Sequence, residues 1–277
     1  MDTVTSPIQL NVETPLATRP VTIAPGIEVG GAAVVLMAGP CSVESYEQTR
    51  AAAQAVYRVG GRVLRGGAFK PRTSPKSFQG LGLEGLRILR AVADELGMRV
   101  ISEALGVEHI PAVVEYADII QIGSRNMQHY PLLWAAGETE KPVLLKRGFM
   151  STIDEWLHAA EHIASRGNER IILCERGIRG FDPATRNVLD TGAIALVKQS
   201  TGFPVIGDPS HATGRADLVI PAARACIAAG ADGLLVECHP DPASALSDAE
   251  QALPIDALPV LVDQVGRIAA ALGRPFN

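Results

Sequence analysis

At 277 residues, 47% hydrophobic and 20% charged, the chain can bury a sizeable core, in one large domain or two modest ones. Its 4% aromatic content and formal net charge of −5 leave neither stacking platforms nor a cationic surface for general nucleic-acid binding. No apolar run reaches the roughly 18 residues of a membrane span, and MDTVTSPIQLNVETP has neither the basic region nor the apolar stretch of a secretory signal.

Residues 1–32 stand apart: they are rich in Thr and Pro, with β-prone pieces at Val21–Ile23 and Ile27–Val29 around Pro25-Gly26. Pro-Gly between two such pieces is a turn signal, so a loose tail and a small structural hairpin are expected. From Ala33 a rhythm sets in. Apolar runs of strand length appear at AVVLMAG, RVLRGG, RVISEAL, DIIQIGS, PVLLKRG, RIILCERG, PVIGDPS and GLLVECHP. They do not alternate, as suits parallel strands buried on both faces.

Helical patterns fill the gaps. Ser45–Val59 opens with a Ser-x-x-Gln cap, puts Ala52, Ala55, Val56 and Val59 on one face, and stops at Gly60-Gly61. Glu84–Leu96 aligns Leu86, Leu89, Ala93 and Leu96 before Gly97; Thr152–Ser165 starts with Thr-x-x-Glu and buries Trp156, Leu157, Ala160 and Ile163. Weaker patterns cover Val107–Tyr116, Tyr130–Ala136, Gly192–Thr201, Arg215–Ala229 and Leu258–Leu272. Eight strands each followed by a helix predict a (β/α)8 TIM barrel as one catalytic unit over residues 33–277. An open doubly wound sheet would carry a Gly-x-Gly-x-x-Gly turn after its first strand, and AGPCSVES has none. Four cysteines (Cys41, Cys174, Cys226, Cys238) in a chain of this size do not suggest a disulfide framework, and the cytoplasm is the expected compartment.

Nearly every predicted strand ends in residues that a packed core would not want: Cys41; Arg65, with Lys70 and Arg72 beyond it; Glu103; Arg125; Lys146-Arg147; Glu175-Arg176; Asp208 and His211; Glu237 and His239. Taken singly, Cys41 reads as a small buried hydrophobe and each cation as a solvated loop charge. A barrel gathers all eight strand ends around one mouth, the place where such barrels carry their chemistry, so the coincidence points to a site. The acid-free stretch RVLRGGAFKPRTSP, with paired glycines, three clustered cations, Thr73 and Ser74, suits phosphate and carboxylate groups. Arg65, Lys70, Arg125, Lys146 and Arg176 would repel one another without a ligand, which implies a polyanionic small molecule. Cys41, His211, Glu237 and either Asp241 or Asp248 form a second set able to hold a divalent transition ion.

AGPCSVES, LRGGAFKPRTSP, GSRNMQ, LLKRG, CERG, GDPSHATG and VECHPDPASALSD, in this order, resemble the 3-deoxy-D-arabino-heptulosonate 7-phosphate (DAHP) synthases, in the branch shared with the 3-deoxy-octulosonate 8-phosphate synthases. The resemblance runs from about Gly30 to the C-terminus. It implies an enzyme at the entry to the shikimate pathway and aromatic amino acid biosynthesis, joining phosphoenolpyruvate to erythrose 4-phosphate with release of phosphate. It also implies a divalent metal of the Mn, Fe, Co or Zn type on Cys41, His211, Glu237 and Asp248, choosing Asp248 over Asp241. Arg65, Lys70, Arg125, Lys146 and Arg176 fall where the family holds phosphoenolpyruvate, and Arg72 and Thr73 where it holds the aldose phosphate. Arg179 and Arg186 suit further phosphate contacts. Lys70, Cys41, His211 and Glu103 are the expected catalytic groups, with Glu103, Glu175 or a metal-bound water moving protons.

Pro-Arg-Thr, where the octulosonate synthases carry an Asn-Arg-type sequence, favours the four-carbon aldose; arabinose 5-phosphate is the alternative. A Schiff-base aldolase using Lys146 and a non-catalytic barrel that binds phosphorylated metabolites are the rivals from other classes. About thirty residues precede the barrel, too few for the regulatory or chorismate mutase domain of longer relatives. The expectation is therefore an enzyme without a built-in feedback domain, or one controlled through a partner such as chorismate mutase; the resemblance also implies a homo-oligomer, dimer or tetramer.

Overall fold

The structure, a computed structural model, describes residues 16–70 and 76–276. Strands β1 (Val21–Ala24) and β2 (Ile27–Val29) form the antiparallel hairpin expected around Pro25-Gly26, with Gly26 taking the positive φ of +79° that the turn requires. Eight parallel strands follow: β3 (Val35–Gly39), β4 (Val63–Arg65), β5 (Arg99–Ala104), β6 (Ile119–Ile122), β7 (Val143–Lys146), β8 (Ile171–Glu175), β9 (Val205–Gly207) and β10 (Gly233–His239). They pair in sequence order, and β10 pairs with both β9 and β3, which closes the barrel and excludes the open sheet. A short strand, β11 (Leu253–Pro254), lies outside the ring on β10.

The helices are α1 (Tyr46–Arg58), α2 (Leu83–Leu96), α3 (Ile110–Tyr116), α4 (Tyr130–Gly137), α5 (Ile153–Ala164), α6 (Thr191–Ser200), α7 (Pro209–Thr213), α8 (Ala216–Ala228) and α9 (Leu258–Ala271). The caps read from the sequence are present. Ser45 accepts the Gln48 N–H, and Thr152 and Glu155 complete a reciprocal capping box. Two departures are local: the helix expected from Val107 begins as a 3₁₀ turn over Val107–His109, and α7 is an extra turn after β9.

The non-alternating runs divide cleanly once the barrel closes. Val35, Met37, Val63, Ile101, Ile119, Leu144, Ile172, Cys174, Ile206 and Leu235 fill the interior. Their neighbours Leu36, Leu64, Val100, Ile120, Val143, Leu145, Leu173, Val205, Leu234 and Val236 pack outward against the helices. Val21 and Val29 of the hairpin join the interior set, so the hairpin plugs the end where the strands begin. Side chains alternate along a strand. Two residues beyond the last inward apolar position of every barrel strand except β3 stand Arg65, Glu103, Gln121, Lys146, Arg176, Asp208 and Glu237, all at the opposite, C-terminal mouth.

A candidate metal and anion site at the barrel mouth

Cys41, Glu237 and Asp248 each place a ligand atom within 4.8 Å of the others. They come from the loop after β3, the end of β10 and the loop after β10. Asp248 is the sole non-glycine residue with positive φ (+50°) among the described residues, a backbone cost that brings its Oδ2 to 3.2 Å from Cys41 Sγ. His211, on α7, approaches this trio through Glu237, with Nε2 3.3 Å from Glu237 Oε1. Asp241 lies outside it, donating its N–H to His239 Nδ1.

Charge sets the state of each group. Burial pushes the Cys41 thiol up to about 12, with the Glu237 and Asp248 carboxylates adding to the rise and Lys70 opposing it. A bound cation inverts that preference, since a coordinating thiol is deprotonated outright. Burial opposes ionisation of Glu237, yet His211, Arg65 and Lys70 hold it far below the usual carboxylate range. Burial lowers the His211 imidazole from its ordinary value against the pull of Asp208 and Glu237, which favours the neutral ring that a metal needs. A thiol and two carboxylates that converge, with the His211 imidazole adjoining them at Glu237 and outside the mutual 4.8 Å set, fit a divalent transition ion.

Lys70 joins this recess to the neighbouring cavity. Its Nζ donates to the Cys41 carbonyl at 2.9 Å and to Cys41 Sγ at 3.0 Å. Gly67 leaves the room: a Cβ there would stand 2.7 Å from the Cys41 carbonyl oxygen and 2.9 Å from Lys70 Cδ. Burial works against the Lys70 ammonium, but the Cys41 and Glu237 charges outweigh it and raise its pKa. The cavity itself measures about 350 Å³; its lining includes Lys70, Glu103, Arg125, Lys146, Arg176, Arg179, Arg186, His211 and Asp248. A side chain at Gly123 would overlap the Glu103 carboxylate, so that glycine lets Glu103 lean over the end of β6.

The expectation of five mutually repelling cations needs correction. Arg65 is outside the lining, 4% exposed, with Nη1 2.8 Å from Glu237 Oε1 and 2.9 Å from the Pro40 carbonyl. Lys146 is paired with Asp208 at 2.6 Å. Closure of the barrel supplies both counter-charges. Arg125 and Arg176 have no carboxylate partner among the described residues, and Arg179 packs over Phe149. Burial lowers the Arg176 pKa, with Arg186 adding to it and Asp208 resisting.

Glu175 does not face the cavity. It points outward between barrel and helices, held by Arg147 at 3.1 Å and by the N–H of Gly177 at 2.6 Å, while Arg147 also reaches Asp190 at 2.9 Å. Of the two acids considered for proton transfer, only Glu103 lines the cavity. Arg72 and Thr73 lie outside the described residues. Gln251, which the sequence reading did not single out, donates to Glu237 Oε2 and accepts from Arg186 at 2.7 Å. A lone glutamine in a loop carries no signal of such a role.

The sequence matches the DAHP synthetase I family over residues 12–269. The chain belongs to that family. It is 53% identical over 251 residues to the phospho-2-dehydro-3-deoxyheptonate aldolase of Thermotoga maritima, covering 91% of this chain and 74% of the relative. A 2-dehydro-3-deoxyphosphooctonate aldolase of Geobacter sulfurreducens is 34% identical over 273 residues, covering 91% and 98%. The crystal structure of the Thermotoga maritima DAHP synthase superposes with a TM-score of 0.91 at 50% identity, covering 96% of this chain and 79% of that one. A truncated form of the 3-deoxy-D-arabino-heptulosonate 7-phosphate synthase from the same organism gives 0.88 at 48% identity, covering 94% and 95%. These likenesses place the chain among the barrel enzymes of the DAHP synthetase I family.

Proposed function

We propose that the chain is a metal-dependent synthase that condenses phosphoenolpyruvate with erythrose 4-phosphate, giving DAHP and inorganic phosphate. The observation that carries this reading is an adjacency. Lys70 lines the cationic cavity and at the same time donates to Cys41 Sγ at 3.0 Å, so anion site and metal-donor set share one wall. The relative named for the heptonate reaction is 53% identical, against 34% for one named for the octonate reaction, which supports the four-carbon aldose.

Arg125, Lys146 and Arg176 reach the cavity from three different strand ends and would grip carboxylate and phosphate together, holding the enol methylene toward the aldehyde. Arg179 and Arg186 line the same cavity and suit the phosphate of the aldose; the family resemblance gives Arg72 and Thr73 the same role. A divalent ion on Cys41, His211, Glu237 and Asp248 would supply Lewis acidity to the aldehyde oxygen. Attack by the methylene carbon forms the C–C bond and leaves positive charge at the enol carbon. Water adds there, and phosphate departs with cleavage of its C–O bond. Glu103, which lines the cavity and whose Oε2 accepts from Gln121 at 3.0 Å, would act as the carboxylate base that takes the proton of that water. The cations stabilise the departing phosphate without reorganising. Lys146, bound to Asp208 in a buried ion pair, lacks the apolar setting that would free an amine for a Schiff base.

Phosphate release measured with phosphoenolpyruvate plus erythrose 4-phosphate, and separately with arabinose 5-phosphate, tests both parts. Turnover is expected with the four-carbon aldose, at least about 100-fold better than with the five-carbon one. A preference for arabinose 5-phosphate would overturn the substrate, and no release with either would overturn the activity.

A further inference from the structure

Asp208 continues the inward face of β9 and is fully buried at the base of the site. It caps α7, accepting the His211 N–H through Oδ1 at 2.9 Å. Its other oxygen, Oδ2, lies 2.7 Å from His211 Nδ1 and 2.6 Å from Lys146 Nζ. An ionised carboxylate only accepts, so the hydrogen bond from Nδ1 places the ring proton there, while Nε2, 3.3 Å from Glu237 Oε1 and without a hydrogen bond among the described residues, is the nitrogen turned to the metal-donor recess. One helix turn therefore fixes three things about the imidazole: its backbone position, its ring orientation and its tautomer.

We propose that Asp208 is a positioning residue of the metal centre, holding His211 with Nδ1–H toward itself and Nε2 toward the Cys41–Glu237–Asp248 recess while anchoring Lys146 on the cavity side. This rests on reading His211 as a metal ligand. Outer carboxylates of this kind act through the ligand they orient and not through contact with the ion. An amide at position 208 would present either N–H to Nδ1, favouring the Nε2–H tautomer that cannot ligate, or an oxygen that is uncharged and a weaker acceptor.

The test is equilibrium binding of Co²⁺ to metal-free protein, in competition with a chromophoric chelator, in a double-mutant cycle of Asp208→Asn and His211→Ala. Asp208→Asn alone is expected to weaken Co²⁺ binding about 10–100-fold. In the His211→Ala background the same change is expected to cost less than about twofold, because the residue through which Asp208 acts is gone. An equal loss in both backgrounds would mean that the carboxylate acts only by its charge, and the proposal falls. Unchanged Co²⁺ affinity in Asp208→Asn overturns it as well. Should His211→Ala and Cys41→Ala both bind Co²⁺ like the unmodified protein, it is the metal reading that fails, not the role of Asp208 within it. The ¹⁵N shifts of the His211 ring in the metal-free, unsubstituted protein give a check that needs no variant to fold. They should report a protonated Nδ1, and an Nε2–H tautomer would overturn the proposal.

Discussion

At the end of the barrel where the strands begin, Asp232 sits 1% exposed with every interaction answered. Lys198 reaches both of its oxygens at 2.9 Å, Arg274 one of them at 3.0 Å, and the Val205 N–H the other at 2.9 Å. Lys198 also holds Thr18, and Arg274 reaches the carbonyls of Gly31 and Ala231, so the cluster staples the chain's first and last described segments to α6 and β10. At the mouth, Arg65 and Lys146 have carboxylates, but Arg125 and Arg176 have none among the described residues. One end has its charges balanced internally; the other keeps cations in reserve. Buried ionic groups of the first kind hold a fold together, and those of the second kind cost stability until an anion arrives.

Metal removal should break the contrast most completely. Exhaustive chelation, verified by metal content, is expected to abolish turnover, with activity returning on readdition; full turnover by metal-free protein would leave the mouth without its proposed chemistry. Lys70→Ala comes next, with kcat/KM for phosphoenolpyruvate falling about 10²–10³-fold in steady-state assays. A loss confined to the aldose would misplace Lys70. At the other end, Asp232→Ala leaves two cations unanswered and should lower the unfolding free energy by about 3–5 kcal/mol in urea titrations. Its KM values should stay within about twofold of the starting protein's, and a selective rise in either would mean that the two ends are coupled. Arg176→Met should do the reverse, raising the urea midpoint by the equivalent of about 1 kcal/mol while phosphoenolpyruvate use collapses. A fall in stability there would show that Arg176 is already balanced.

The barrel was legible because its eight strands are apolar on both faces, and the site because polar residues end nearly all of them. The sidedness of neighbouring residues was legible too, by a rule left unused. Leu144 and Cys174 face inward, so Lys146 and Arg176 must follow them, while Arg147 and Glu175 fall on the outer face. The pairing of Arg65 with Glu237 was beyond reach, since these residues are 172 apart in sequence and meet only when β10 closes against β3. The same holds for Lys146 with Asp208, and it is why a set of five bare cations was expected where two are neutralised.

Glu175 gives the smallest and most specific effect. Burial raises its pKa above the ordinary carboxylate value, although Arg147 and the Gly177 N–H pull the other way. The folded state therefore binds this proton more tightly than the unfolded chain does. Its contribution to stability is present below the unfolded pKa and declines as pH rises through the folded one. Glu175→Gln removes that titration. Its unfolding free energy, measured in urea across mildly acid to neutral pH, should improve relative to the unsubstituted protein as pH rises through this window, whatever constant offset the loss of the Arg147 pair imposes. A difference that stays flat, or that runs the opposite way, would mean that Arg147 neutralises Glu175 in full. The outer pair would then belong with the balanced charges around Asp232 and not between the two extremes.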